Sequence, residues 1–397
     1  MPELKIDVKV LRVMINKINI SKRLFLVFSL LFISYKGVAG EDETSPTAES
    51  APVHQEGEHG IKPFNAGKTI IEHVADSHEW HLWGHTSIPL PIIIFNENSG
   101  KLDIFLSSNF EHGAKAYNGY TLKENRINVE EELGLLPEDV VGTEKAGNSA
   151  NLWDFSITKN AMAMFISMLL MIWIFVSVAR AYTRNQGKAP RGLQSFIEPL
   201  ILFIRDDVAK VSIGEKRYQQ FLPFLLTVFF FIWINNLLGL VPFFPGGVNV
   251  TGSISIAMVL AGFVLLITFV VANKHYWRHV FAMPGVPVGV LIILTPIEIL
   301  GLFLRPFVLM IRLFANITAG HIISLAFFSL IFIFGEMNVG LGFGVSILSL
   351  VFTIFMGALE LLVAFLQAYV FTLLAAIYFG AAVDEGHEIH NHVDDHH

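Results

Sequence analysis

The chain has 397 residues, of which 53% are hydrophobic and only 15% are charged, and its mean hydropathy is +0.57. These values exclude an ordinary soluble globular domain and predict a polytopic membrane protein. The formal net charge of -7 gives no indication of a nucleic-acid partner, and the lack of cysteine excludes disulfides, thiolate metal sites and cysteine nucleophiles.

The first 40 residues are typical of a signal peptide. Three basic residues, Lys17, Lys22 and Arg23, precede an apolar run at 24–34, and the small residues at 38–40 offer a cleavage site. An uncleaved membrane anchor is the alternative, but the run is shorter than the ~20 residues that cross a bilayer. We therefore predict that residues 41–155 lie outside the cytoplasm.

Residues 41–155 are predicted to hold a polar linker and a small domain of α+β fold. The linker at 41–60 is rich in Glu, Ser, Pro and Thr, a composition typical of disordered segments. Apolar segments at 88–95 and 101–107 flank a turn-forming stretch, which predicts two paired strands. Four histidines lie near them: His73, His78, His81 and His85. Their spacing matches no standard metal-ligand pattern, so we favour surface histidines over a metal site.

Residues 156–383 are predicted to form the membrane-embedded part, an all-α fold with about five membrane-embedded helices and one amphipathic surface helix. Apolar segments lie at 160–179, 221–244, 254–272, 286–334 and 340–382. The last two far exceed ~20 residues, so we expect two strongly tilted or bent helices that turn at 335–344 into an antiparallel hairpin. The segment at 193–211 is too polar to span, and its apolar residues recur at helical spacing, which predicts the amphipathic helix.

Basic residues beside the spans predict the orientation of the chain. They follow the first and third spans: Arg180, Arg184, Lys188, Arg191, Lys274 and Arg278. Positively charged flanks lie on the cytoplasmic side, so the N-terminal domain is expected outside and the polar tail at 384–397 in the cytoplasm. The export signal predicts the same topology, that of a multi-pass protein of a bacterial plasma (inner) membrane.

The predicted hairpin carries charged side chains that are expensive inside a bilayer. An arginine at the bilayer centre costs roughly 2.5–3.5 kcal/mol on insertion scales. If the hairpin turns near Gly340, facing residues have numbers that sum to about 680. This register places Arg312 opposite Gln367 and His321 opposite Glu360. Because Gln367 is a neutral amide, the charge of Arg312 remains available for a carboxylate of another chain, unless the charges only neutralise one another within a bundle.

Helical geometry separates the remaining polar residues into two sites. Glu298, Arg305 and Arg312 are spaced by seven and share a face, and Asn316 lies near it. His321 points to the other side, about 13 Å further toward the outer turn, where it could relay protons beside a carboxylate. One polar site is therefore expected toward the cytoplasm and the other toward the outside.

Two adjacent amides, Asn235 and Asn236, lie inside the second span. Such side chains either form hydrogen bonds between helices or line a polar path. The sequence leaves both alternatives open.

The segment RLFANITAGH from Arg312 to His321, followed by LQAYVFTLL from Leu366 to Leu374, resembles subunit a of the rotary F-type ATP synthases. The preceding LRPFVLMIRLF and the PGGVNVT after the second span resemble the same family. The resemblance implies a proton channel and stator with two half-channels, held against a ring of c subunits and b-type peripheral stalk subunits within the lipid bilayer. It implies no cofactor, metal or nucleic acid, and it implies that ATP chemistry belongs to partner subunits. It does not decide between proton and sodium coupling.

The resemblance also implies roles for individual residues. Arg312 matches the essential arginine of the family and Gln367 the glutamine packed beside it. Asn316 matches a polar channel residue, and Glu298 a carboxylate near the cytoplasmic exit. The candidate proton-translocation residues are Arg312, His321, Glu360, Gln367, Asn316 and Glu298, with Asn236 and Arg305 as further candidates for lining the channel.

Two other functions are weaker alternatives. A secondary transporter could use Arg312 to bind an anionic substrate, but the sequence shows neither inverted repeats nor interrupted helices. An intramembrane hydrolase would need a nucleophile–base pair or a metal motif in the spans, and the chain has neither cysteine nor an HExxH motif.

Overall fold

The structure is a computed structural model that describes residues 76–384, with gaps at 84–85, 98–99, 124, 130–151, 185–188, 242–245, 249, 284–285 and 338. The predicted signal peptide at 1–40 and the polar linker lie outside the described residues, as does the tail after Asp384. The described chain belongs to two compact units, one covering 76–159 and the other beginning at residue 160.

The first unit consists of short strands and one 3-10 helix, Ser107–Gly113. The strands are β1 (Glu79–Trp83), β2 (Thr86–Pro89), β3 (Pro91–Asn96), β4 (Lys101–Leu106), β5 (Tyr120–Lys123), β6 (Arg126–Val129) and β7 (Leu152–Asp154). All pairs are antiparallel, in a three-stranded sheet of order β4-β3-β7 and in the hairpins β1-β2 and β5-β6. The predicted pair of strands is confirmed by β3 and β4, although the first predicted strand is divided at Leu90. Prolines on both sides of Leu90 cannot donate to a ladder.

One face of the three-stranded sheet forms the core of the first unit. Ile92 and Ile94 of β3 are fully buried and pack against a cluster from the rest of the unit, Phe110, Tyr120 and Ile127. Of the four predicted surface histidines, His78 is buried, with its Nε2 atom 3.5 Å from Asp154 Oδ2. This differs from the expectation of surface exposure. The side chains of the other three lie outside the described residues.

The regular secondary structure of the remaining described chain is helical. The α-helices are α1 (Lys159–Arg184), α2 (Leu193–Phe203), α3 (Val211–Ile213), α4 (Tyr218–Leu240), α5 (Ile254–Val271), α6 (Lys274–Phe281), α7 (Val288–Met337) and α8 (Val339–Val383). Within the described ranges, five of these, α1, α4, α5, α7 and α8, are long and apolar enough to cross a membrane. The prediction of an all-α polytopic membrane protein is therefore confirmed.

The predicted amphipathic helix is confirmed by α2 and α3, which a π-helical segment at Ile204–Lys210 joins. Its polar side is held together by Asp206, which lies 2.7 Å from Arg205 Nη2 and 2.6 Å from Lys210 Nζ. The hydrogen bonds from Arg205 lower the pKa of the Asp206 carboxyl to about 2. The buried positions of its apolar side include Ile197, Ile204 and Val208.

Two predicted boundaries were wrong. The second span ends at Leu240 instead of residue 244, because Val241 precedes a proline and adopts extended dihedrals, φ -77 and ψ 117. The turn predicted at 335–344 is much shorter, since α7 continues to Met337 and α8 begins at Val339. The glycines allow close helix approach here: a Cβ atom on Gly342 would lie 2.7 Å from the Cα atom of Gly335.

Candidate functional site

The long helices α7 and α8 pack as an antiparallel hairpin, and polar contacts join them at two levels. Asn316 Nδ2 donates to Gln367 Oε1 over 3.1 Å, and Ser324 Oγ donates to Glu360 Oε1 over 2.9 Å. Both pairs lie within a few residues of the register predicted from the sequence. At 50 and 45 residues, the two helices are longer than the ~20 residues of an upright crossing.

Arg312 lies between these levels and the N-terminal part of α7, on an exposed face of the helix. Leu309, Leu313 and Ile317 form the buried face, whereas Arg312 and Asn316 are exposed. Within the described part of the chain, the guanidinium makes no ion pair and no hydrogen bond. The predicted neighbour Gln367 is buried, but its amide oxygen is occupied by Asn316, one turn from Arg312. The charge is therefore left without a carboxylate among the described residues.

Glu360 lies against the backbone of α7 on the other side of Arg312. A Cβ atom on Gly320 would lie only 3.0 Å from Glu360 Oε1, so glycine leaves the space that the carboxylate occupies. Gly320 and Ser324 lie on either side of His321 in the chain. Glu360 therefore meets α7 at the level predicted for the His321–Glu360 pair. The side chain of His321 lies outside the described residues, so this pair stays a prediction. Ser324 was missed by sequence reasoning, although it lies one turn from His321.

Glu298 and Arg305 form an ion pair on the N-terminal side of Arg312 along α7. Arg305 Nη2 lies 3.2 Å from Glu298 Oε1, as expected for residues spaced by seven on one helix face. The guanidinium carbon of Arg305 also lies 5.9 Å from the ring centroid of Tyr378 on α8. Glu298 is thus paired within its own helix, whereas the sequence predicted only that the two residues share a face.

Two tyrosines that sequence reasoning missed complete the cluster around Arg305. Tyr276 of α6 and Tyr378 line a small cavity together with Thr268 and Arg305. Burial raises the pKa of the Tyr276 phenol; the charge of Arg305 opposes this rise and that of Glu298 adds to it. Tyr378 could have been found, because it follows Gln367 by eleven residues, about three helical turns, and so lies on the same face. Tyr276 lies outside the hairpin, so helical spacing from Gln367 could not have identified it.

Asn236 joins three parts of the membrane unit. Its Nδ2 atom donates to the Ala364 carbonyl of α8 over 3.1 Å, and its Oδ1 atom accepts from Thr251 Oγ1 over 2.5 Å. The neighbouring Asn235 donates back to Phe231 of its own helix over 2.8 Å. These contacts favour the interhelical hydrogen-bond alternative over a polar path for Asn236.

We expect Asn236→Ala to lower the free energy of unfolding by about 1–3 kcal/mol, because it leaves the buried Thr251 hydroxyl without its acceptor. Thermal unfolding in detergent measures the effect. Asn235→Ala is the matched control: it removes the same side chain from the adjacent position, where the amide bonds only within α4 and the Oδ1 atom has no hydrogen-bond partner in the described structure. Equal losses of stability in the two variants would contradict an interhelical role for Asn236.

The fold and the site define a class of protein: a polytopic membrane protein with a long helical hairpin that carries an arginine between two polar clusters. That arginine has no carboxylate partner among the described residues. Comparison with known proteins identifies the family. The family model described as ATP synthase A chain matches residues 161–380. This chain belongs to the ATP synthase subunit a family. A second model, of a domain of unknown function (DUF8433), matches residues 69–155, which include the described strands.

Similar proteins from three bacteria bear the same family name. ATP synthase subunit a of Chloroherpeton thalassium is 41% identical over 251 residues, which cover 62% of this chain and 72% of that protein. ATP synthase subunit a 2 of Chlorobaculum tepidum is 43% identical over 249 residues, which cover 60% of this chain and 67% of that protein. ATP synthase subunit a of Myxococcus xanthus is 39% identical over 262 residues, which cover 64% of this chain and 82% of that protein.

Proposed function

We propose that this chain carries protons through two half-channels to and from carboxylates on a ring of c subunits, and so drives rotation coupled to ATP synthesis. The observation that supports this most directly is Arg312, an exposed cation in a membrane-spanning helix with no carboxylate partner in the described chain. Exposure of that charge to lipid would cost roughly 2.5–3.5 kcal/mol or more. A carboxylate on a neighbouring subunit would remove this cost.

The spacing along α7 supports separate half-channels. Glu298 precedes Arg312 by fourteen residues, about 21 Å along a helix, and Gly320, which contacts Glu360, follows it by eight residues, about 12 Å. Titratable groups thus lie on either side of the arginine along the helix, with no continuous acidic path past it among the described residues. A proton would have to leave one site on a ring carboxylate and reach the other after the ring has turned.

The proposed sequence of events uses the residues in that order. A proton from outside reaches a ring carboxylate through the His321–Glu360 level, with Ser324 holding Glu360 in place. When the ring brings a protonated carboxylate to Arg312, the cation favours the ionised form, and the proton leaves toward Glu298 and the cytoplasm. Asn316 and Gln367, which are hydrogen-bonded to each other, keep polar groups beside the arginine.

Energy comes from the membrane potential, which supplies about 2.3 kcal/mol per charge for each 100 mV. Under this proposal the chain lies in a bacterial plasma (inner) membrane with its N-terminal domain outside and its C-terminus in the cytoplasm. The c ring and b-type stalk subunits are its partners, and other subunits carry the ATP chemistry. Co-purification with a ring of small helical-hairpin subunits tests the assembly, and recovery of a complex without such a ring would count against it.

We expect Glu298→Gln to slow proton release to the cytoplasm about tenfold or more, because positioned proton-transfer groups contribute roughly 10²–10⁴-fold where transfer limits the rate. The variant also removes the negative charge that lies 3.2 Å from Arg305 Nη2, while its Oε1 atom can still accept a hydrogen bond. Proton flux into proteoliposomes under an imposed potential measures the effect.

Glu336→Gln makes the same chemical change at an exposed position near the end of α7 and is the matched control. Its flux should equal that of the unsubstituted protein. Equal flux through Glu298→Gln and the control would remove Glu298 from the proposed path.

A further inference from the structure

The three-stranded sheet of the first unit has a second apolar face, opposite its core. We call it the outer sheet face. On β4 its residues are Leu102, Ile104 and Leu106, which are 56%, 65% and 48% exposed. Trp153 and Phe155, at the other edge, are 45% and 37% exposed, and their rings stack with centroids 6.5 Å apart. Half-buried Ile93 and Phe95 of β3 lie between these edges.

Strand register shows that these side chains form one continuous surface. Ile93 pairs with Ile104, and Phe95 pairs with both Leu102 on β4 and Trp153 on β7. Alternate residues of a strand point to opposite faces, and the fully buried Ile92 and Ile94 define the inner face. The outer sheet face is therefore a row of apolar and aromatic side chains across three strands. Contiguous exposed surfaces of this kind usually mark an interaction site or a membrane contact.

Hydrogen-bonded backbone continues from the outer sheet face to Lys159, the residue at which α1 begins. Phe155 N donates to Ile93 O over 2.8 Å and Ile157 N to Pro91 O over 3.0 Å, which continues the ladder beyond β7. Lys159 N, at the first residue of α1, donates to Ser77 O over 2.8 Å. From Phe155 to Lys159 the chain is only four residues long, at most ~14 Å.

Dimensions place this surface within reach of the lipid. The 26 residues of α1 extend about 39 Å, which exceeds the ~30 Å hydrocarbon core, so the helix reaches the headgroup region. That region adds only about 5–8 Å on each side of the bilayer. Tryptophan and other aromatic side chains are favoured there, and so are apolar surfaces that lie along the interface.

We propose that the outer sheet face rests on the headgroup region of the bilayer, on the side where α1 begins. Lipid is favoured over a protein partner because the paired outward positions of the three strands are all apolar, and because the ladder leads directly into a lipid-embedded helix. The first unit would thus be a membrane-apposed domain. This inference does not depend on the proposed proton path.

Spin labels at single cysteines test the proposal, and the chain has no native cysteine. The full chain, in the complex in which it is purified, is placed in phosphatidylcholine nanodiscs as Ile104→Cys, with Leu102→Cys as a second variant. Collisions with molecular oxygen, which concentrates in lipid, and with nickel ethylenediamine diacetate, which stays in water, are measured. Lys115→Cys, at an exposed position of the same unit, is the control.

We expect the ratio of oxygen to nickel accessibility to be several-fold higher at residues 104 and 102 than at residue 115. Accessibility to nickel equal to that of the control would show that the face lies in water and would overturn the proposal. Protection from both reagents would show that protein, either a second copy or another subunit, covers the face, and would overturn it as well.

Discussion

Arg312→Ala is expected to abolish proton-driven ATP synthesis in membranes while leaving ATP hydrolysis by the detached soluble sector intact. Arg312 has no partner carboxylate among the described residues, so on our proposal its charge acts on a carboxylate of the ring. Breaking a desolvated ion pair by removing one partner costs about 3–5 kcal/mol. Since each 1.4 kcal/mol corresponds to a factor of ten, the rate should fall by at least about 100-fold.

Inverted membrane vesicles allow both halves of this prediction to be measured, as ATP synthesis under an imposed proton gradient and as ATP hydrolysis after release of the soluble sector. Arg180→Ala is the matched control, because Arg180 is an exposed arginine near the end of α1 and undergoes the same chemical change. Synthesis in that variant should persist. Retention of coupled synthesis by Arg312→Ala would refute the central proposal, whatever the control shows.

On our proposal, Glu360→Gln should reduce proton flux through the outer half-channel by about 100-fold, the lower end of the range for a positioned proton-transfer group. Glutamine has nearly the same shape and its Oε1 atom can still accept the hydrogen bond from Ser324. It cannot exchange a proton as a carboxyl group does. The substitution therefore separates a role in proton transfer from a role in packing.

Passive proton flux through the membrane sector, after removal of the soluble sector, measures this effect. Ser324→Ala keeps the carboxylate and removes only its 2.9 Å hydrogen-bond donor, so its flux should fall far less. Unchanged flux in Glu360→Gln would indicate that Glu360 only packs against Gly320. A larger loss of proton flux in Ser324→Ala than in Glu360→Gln would also indicate that Glu360 has only a packing role.

Both predictions use residues that the sequence had already singled out. A charged side chain within an apolar run is conspicuous because the bilayer penalises it, so Arg312 and Glu360 needed no structure to be found. Helical periodicity also predicted that Glu298 and Arg305 share a face, and the ion pair between them agrees. The approximate register of α7 and α8 followed from the antiparallel arrangement of neighbouring helices joined by a short turn.

The sequence alone did not predict contacts between segments that are distant in the chain. Whether Gln367 bonds to Arg312 or to Asn316 depends on the rotation of two packed helices, and one turn of a helix is only about 5.4 Å. The partner of Asn236 lies 128 residues away in the sequence, and Tyr276 reaches the Arg305 cluster from a separate helix. No local pattern carries that information.

By itself, the sequence determined the membrane class, the position of the Arg312 charge and the faces on which polar residues lie. These follow from hydropathy and helix geometry, which are local properties of the chain. Only the tertiary structure decided which polar atoms meet, how short the hairpin turn is, and that the sheet of the first unit has an exposed apolar face leading into α1. These depend on packing between segments that are remote in sequence, where differences of a few ångströms decide the partner.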